Sequence, residues 1–385
     1  MLTDPEVTAI RSRFRIFKRK IYLNSCSQGA LCDAVEASQQ EHIQSWRDSG
    51  SPWDLWVEKY ETARTAFAQF IGAEPDEVAI IPCASAGINS IASALDFRSR
   101  RKVVMGEFEF PTMGQIWLAQ QRRGMEIQFL ESHKDRLSAD AYAEAIDNQT
   151  LIVPLTHICF MNGFRSDVRA VTRVAHDQGA LVMLDDYQDA GTRPINVKEL
   201  NVEFYVTGAL KYLLCPSGIA FLYVRRDLIE GLTPTITGWF GQQNPFAFDT
   251  KHFDPAHTAR RFEMGSPPVP HVYAVSAALE LLRSVGFERI ANHVGGLTQK
   301  FLEGARQLQI QIKTPPDSRG PLVVLRMKDA EAMVKKFAHD DIVVSSRMDG
   351  LRVSFHVYNS IEDVQAALSV LEKNKNLTVR EPALA

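Results

Sequence analysis

Between residues 78 and 206 short apolar runs alternate with amphipathic stretches, and this alternation constrains the fold more than any other feature of the chain. The runs fall at 78–81, 103–105, 127–130, 151–153, 181–184 and 204–206. Helical periodicity fills the gaps at about 87–96, 112–122, 138–146 and 167–178. Strands of this length, apolar throughout and separated by helices, predict an open α/β sheet, mostly parallel, with helices on both faces. In such sheets ligands bind at the carboxyl ends of the strands. The polar residues that directly follow each run are therefore the candidates for a functional site.

Two amphipathic helices precede the alternation, at about 33–48 and 53–71. The pattern loosens from about 226, and 232–268, rich in Gly, Pro and aromatics, reads as irregular structure that could cover a site. Helices near 272–285, 288–308, 329–338 and 361–373 then mix with strands near 322–325, 342–345 and 351–356, an α+β layout. We expect an N-terminal arm at 1–20, packed on the C-terminal part, a large domain at 21–268 and a smaller α+β domain at 269–385.

Composition narrows the function classes. The 385 residues carry a formal net charge of −3 with both signs dispersed, which points away from nucleic-acid and membrane-surface partners. The apolar runs fall short of the ~18 residues that a membrane span needs. Five cysteines without CxxC or Cys/His spacing point to a reducing compartment, with no structural metal. The N-terminus lacks an apolar signal region. A cytoplasmic enzyme is the expectation.

Asp185 closes the run 181–184, and Lys211 follows the run 204–206 across Thr207-Gly208-Ala209-Leu210. A carboxylate and an amine at neighbouring strand ends suit pyridoxal 5'-phosphate (PLP). That cofactor needs an amine to hold its aldehyde as a Schiff base and an anion to keep its ring nitrogen protonated. Each residue also has a plainer reading, Asp185 as a turn cap and Lys211 as a snorkelling side chain. The segment Ala84-Ser85-Ala86-Gly87 opens a helix after the first strand, where small residues let N–H groups approach a phosphate. Ser85 reads equally as an N-cap. Phe110, before Pro111, could lie flat on a planar ring or staple the next helix. Gln188 could donate to a phenolic oxygen. Arg352, inside an apolar strand, could bind a carboxylate in bidentate fashion, either internal or from a substrate.

Taken in order, these segments resemble the class V aminotransferase family of fold-type I PLP enzymes, which includes cysteine desulfurases, kynureninase and isopenicillin N epimerase. The resemblance spans nearly the whole chain. It runs from Tyr22-Leu23-Asn24 through the Ser85 loop, Phe110-Pro111-Thr112, Asp185-x-x-Gln188-x-x-Gly191, Lys211 with Pro216-Ser217-Gly218, and Phe262-Glu263-x-Gly265-Ser266 to Arg352-Val353-Ser354-x-x-x-Tyr358-Asn359. It implies a mostly parallel seven-stranded sheet and a homodimer with shared active sites. It also implies roles. Lys211 would hold the cofactor and shuttle protons, Asp185 would pair with the ring nitrogen, Gln188 would contact the phenolic oxygen and Phe110 would stack on the ring. Ser85, Ala86 and Thr207 would bind the phosphate, with Ser266 reaching it from the partner subunit. Arg352 and Asn24 would bind an amino-acid substrate.

The chain also departs from the family. The stretch Ser345-Ser346-Arg347-Met348-Asp349-Gly350 lacks the cysteine that desulfurases carry there, which argues against persulfide chemistry of that type. Leu210 replaces the usual His or Tyr before the lysine. The segments 157–163 and 238–241 look more like kynureninase, yet Met113 stands where that enzyme has an acid. The expected reaction is β-lyase (C–S or C–C cleavage) or aminotransferase chemistry, with epimerase or racemase as the alternative. A non-catalytic binding protein that kept the fold is the rival from another class. A dinucleotide dehydrogenase is weaker still, since no GxGxxG follows an early strand.

Overall fold

The computed structural model describes residues 1–381. Its strands are β1 (Ile21–Tyr22), β2 (Val78–Ile81), β3 (Lys102–Gly106), β4 (Glu126–Leu130), β5 (Thr150–Thr156), β6 (Leu181–Asp185), β7 (Phe204–Gly208), β8 (Ala220–Val224), β9 (Leu322–Arg326), β10 (Ile342–Val343), β11 (Ser345–Arg347) and β12 (Gly350–Ser354). Strands β2 to β8 form one seven-stranded sheet in the order β2-β8-β7-β6-β5-β3-β4. Only β8 runs antiparallel to its neighbours. The remaining pairs are parallel.

The expected seven-stranded, mostly parallel sheet is present. The antiparallel β8 is the strand to which periodicity assigns nothing. It follows β7 across 209–219 with no helix between them, so it falls outside the strand–helix alternation. Side chains divide by strand pleat. Val104, Leu155, Leu184, Tyr205 and Phe221 face one hydrophobic core, and Val103, Met105, Ile152, Met183, Val206 and Leu222 face the other. Helix Trp53–Ile71 covers the first face, where Phe67 stacks on Phe221 with centroids 3.8 Å apart. Helices Ala84–Ala94 and Pro111–Ala119 cover the second through Ile88, Ile91 and Trp117.

The chain direction switches between β3 and β5. From β3 the chain moves outward to β4, and from β5 it moves inward to β6 and β7. The carboxyl ends of β3, β5, β6 and β7 therefore open on one crevice at the topological switch point. The helix expected from 87 begins at Ala84, with Cys83 in the cap position, so Ser85 lies in its first turn and does not cap it. The strand expected at 342–345 divides in two. Ile342–Val343 pairs in parallel with β1, and Ser345–Arg347 forms a hairpin with β12, which pairs in turn with β9.

The N-terminal arm packs on C-terminal elements, as expected. Arg11 forms a two-pronged ion pair with Asp363 at 2.6 and 2.9 Å, and Phe14 sits edge-on to Tyr358 at 4.8 Å. Helix Val269–Val285 packs along helices Asp33–Ser49 and Trp53–Ile71. The stretch 232–268 is irregular, with only short 3-10 turns.

Candidate active site

A cavity of about 350 Å³ lies in the crevice, and Ser85, Phe110, Asp185, Gln188, Lys211 and Arg352 all line it. Asp185 ends β6 and is buried. Burial raises its carboxyl to about 6, against the pull of the Tyr187 N–H that donates to it over 3.0 Å and of the Lys211 charge. Lys211 follows β7, its Nζ 4.4 Å from the Tyr187 ring centroid and 6.0 Å from that of Phe110. Burial lowers the amine to about 8, with Asp185 acting in the opposite direction. An amine in this range is a usable nucleophile and base near neutral pH.

Phe110 is placed by Pro111, which fixes the first turn of its helix, and its ring packs edge-on to Phe160 at 5.1 Å. Gln188 Nε2 donates to the Cys26 carbonyl over 3.2 Å, while its buried Oε1 has no hydrogen-bond partner among the described residues. Arg352 is buried in β12, a position where an arginine normally needs an anion. It donates to Ser27 Oγ at 2.8 Å, to Ser345 Oγ at 3.0 and 3.2 Å, and to the Phe160 carbonyl at 3.2 Å. Among the described residues no carboxylate pairs with it, which leaves the internal-partner reading without support.

The remaining candidates lie outside the lining. Ala86 occupies the first turn of helix Ala84–Ala94. Thr207 is fully buried and its hydroxyl donates to the Gly208 carbonyl over 3.2 Å. Asn24 bridges to Ser354 one layer back, its Oδ1 facing the Cys26 thiol at 3.7 Å. Ser266 is exposed on an outer turn.

Several lining residues went unread in the sequence: Tyr187, Thr112, Thr156, Phe160, Arg347, Cys26 and Cys83. The β11–β12 hairpin lacks a cysteine, but Cys26 and Cys83 reach the cavity from other segments. Gly208 held a signal for Tyr187. A Cβ at Gly208 would lie 2.0 Å from that ring, so glycine at the strand end makes room for it. Most of the Arg352-Val353-Ser354-x-x-x-Tyr358-Asn359 segment clamps the chain at 22–30. Ser354 Oγ accepts from the Cys26 N–H at 3.0 Å, Tyr358 Oη bonds Ser25 Oγ at 2.6 Å, and Asn359 donates to the Tyr22 carbonyl at 2.9 Å.

Behind Asp185 lies a buried polar cluster. His157 Nδ1 is 2.6 Å from Asp186 Oδ1, and Tyr205 Oη donates to Asp186 Oδ2 over 2.8 Å. Asp189 pairs with Arg193 at 2.6 Å and accepts from Thr192. These groups also meet the spacing of a metal site. His157, Tyr205 and Thr192 contact three of the four carboxylate oxygens, and the Arg193 ion pair covers the fourth.

The residues fit PLP. The cavity offers an amine of lowered pKa, an aromatic face and, among the described residues, a single lining carboxylate. The chain matches the Aminotransferase class-V family model over residues 33–367. It is 33% identical to the uncharacterized aminotransferase YcbU of Bacillus subtilis over 93% of this chain and 95% of that protein. It is 25% identical to a kynureninase of Pseudomonas fluorescens over 94% and 91%. The apo structure of a cysteine desulfurase from Thermococcus onnurineus superposes with a TM-score of 0.89 at 22% identity, covering 98% of this chain and all of that one, and shows the same fold. The chain belongs to the class V aminotransferase family and is a PLP-dependent lyase or transferase.

Proposed function

We propose that the protein is a cytoplasmic, homodimeric enzyme that acts on an amino acid whose α-carboxylate is held by Arg352, with β-elimination or transamination as the outcome. One observation carries this reading. A buried arginine that has no carboxylate partner among the described residues faces the same cavity as Lys211 and Asp185. When bound, PLP supplies an electron sink for the bonds at the substrate Cα. Lys211 Nζ accepts and returns the proton at Cα, and Asp185 holds the proton on the ring nitrogen. Gln188 meets the phenolic oxygen and Phe110 covers the ring. Ser85, Ala86 and Thr207 take the phosphate, joined by Ser266 of the second subunit, while Asn24 supports the substrate side.

The dimer reading draws on an aromatic patch. Trp239 stacks near Phe248, which is 72% exposed, beside Phe246. The cytoplasmic reading rests on the absence, among the described residues, of a helix long and apolar enough to cross a membrane, and on the sequence composition. The proposal includes the division into an arm (1–20), a large domain (21–268) and a small domain (269–385).

A panel of L-amino acids offered to the PLP-loaded enzyme tests the reading. Ammonia and pyruvate would mark β-elimination. Product that depends on an added keto acid would mark transamination. Arg352→Gln should raise KM for every substrate by about tenfold or more. An enzyme inert to the whole panel, or indifferent to Arg352→Gln, would contradict it.

A further inference from the structure

The β11–β12 hairpin places a second arginine at the same cavity. Its register pairs Ser345 with Arg352 and Arg347 with Gly350. Cross-strand partners share a face, and strand residues two apart do so as well, so Ser345, Arg347 and Arg352 all present their side chains to one side. Opposite Arg347 stands a glycine, which leaves it no cross-strand side chain to pack on. Both arginines line the cavity, Arg352 buried and Arg347 exposed.

Arg347 has no carboxylate partner among the described residues. Its one side-chain hydrogen bond goes to the adjacent Ser346 carbonyl over 2.8 Å. The nearby Asp349 is committed elsewhere, to Lys313 at 2.6 Å and Arg326 at 3.0 Å. The charge of Arg352, more than burial, holds the Arg347 guanidinium below its ordinary value. Two cations side by side repel unless an anion joins them. Among the described residues Asp185 is the only carboxylate in the lining. One substrate carboxylate satisfies Arg352 and leaves Arg347 free.

We propose that Arg347 binds a second, side-chain carboxylate, so that the preferred substrate is a dicarboxylic amino acid. The inference rests on the reading of Arg352 as the α-carboxylate anchor. Arg347 then acts as a specificity residue, adding a charge-assisted contact that neutral amino acids cannot make.

Calorimetric titration of the PLP-loaded enzyme with glutarate and with valerate separates the two ideas without turnover. The wild type should bind glutarate about tenfold tighter than valerate. Arg347→Gln should bring glutarate down to the valerate level and leave valerate unchanged. Arg347→Lys, which keeps the charge, should recover part of the difference, and an unaltered visible cofactor absorbance in both variants would verify that the site is intact. A glutarate-to-valerate ratio that survives Arg347→Gln, or an equal loss for both acids, would overturn the proposal. Arg352→Gln should weaken both acids; no effect there would instead refute the anchor and, with it, the inference built on it.

Discussion

His157 Nδ1 lies 2.6 Å from Asp186 Oδ1, with both side chains buried beside the residue that ends β6 at the cavity. Burial raises the Asp186 carboxyl, and His157 and Tyr205 oppose that rise. His157→Ala would strand a buried carboxylate and should cost roughly 3 kcal/mol in urea unfolding. Because Asp186 N–H also bonds the Val206 carbonyl at 3.0 Å, the loss should reach β7 and weaken cofactor affinity. A Tyr205→Phe cycle with His157→Ala should be non-additive, since both groups serve one carboxylate.

Gly208 and Tyr187 should behave as a pair. Gly208→Ala forces the Tyr187 ring away from Lys211 and should lower PLP affinity and cost about 1–3 kcal/mol. In the Tyr187→Ala background the same substitution should be nearly neutral to stability. Equal penalties in both backgrounds would show that the ring is not what Gly208 accommodates.

Two buried groups give the apoprotein opposite pH trends. Burial, with a smaller push from Asp185, raises Glu109 from 4.5 to about 8. The folded chain therefore binds more protons there, and this contribution to stability is lost as pH rises from about 4.5 through 8. Glu109→Gln should remove a decline on the order of a few kcal/mol. Lys211 is lowered from 10.5 to about 8, so the unfolded chain binds more protons between those values and stability rises with pH across them. Lys211→Met should flatten that rise. Urea unfolding at pH 5, 8 and 10 measures both slopes.

Glu263, just ahead of the Gly265-Ser266 turn, is buried against Arg64 at 2.5 Å and accepts from the Ile80 N–H at 2.9 Å. Glu263→Ala leaves Arg64, among the described residues, with the half-exposed Glu61 as its only carboxylate partner beside the Val78 carbonyl and should destabilise by about 3–5 kcal/mol. On the proposed dimer, sedimentation should show weaker association, because the turn carrying Ser266 loses its tie to β2. A fully dimeric Glu263→Ala variant would separate Ser266 from the interface.

The parallel strands and the cavity-lining residues at their ends were legible because those residues sit at or just after an apolar run. Asp185 ends β6, Phe110 and Lys211 follow β3 and β7, and the sheet order brings them to one cavity. Strand β8 was not legible, since no helix separates Ala220–Val224 from β7 and it stands outside the alternation. Tyr187, Phe160 and Arg347 were missed for a different reason. Their place depends on loop direction and hairpin register, which local spacing does not encode. The segment from Arg352 to Asn359 was read for its arginine, whereas Ser354, Tyr358 and Asn359 hold down the chain at 22–30.

The central claim is that Lys211 carries the cofactor. Borohydride reduction of the PLP-loaded protein fixes the cofactor to the amine that holds it, and peptide mass spectrometry then locates the adduct. The account predicts a single pyridoxyl group on Lys211, and loss of the visible absorbance in Lys211→Ala. An adduct on another lysine, or a protein that takes up no PLP, would contradict it.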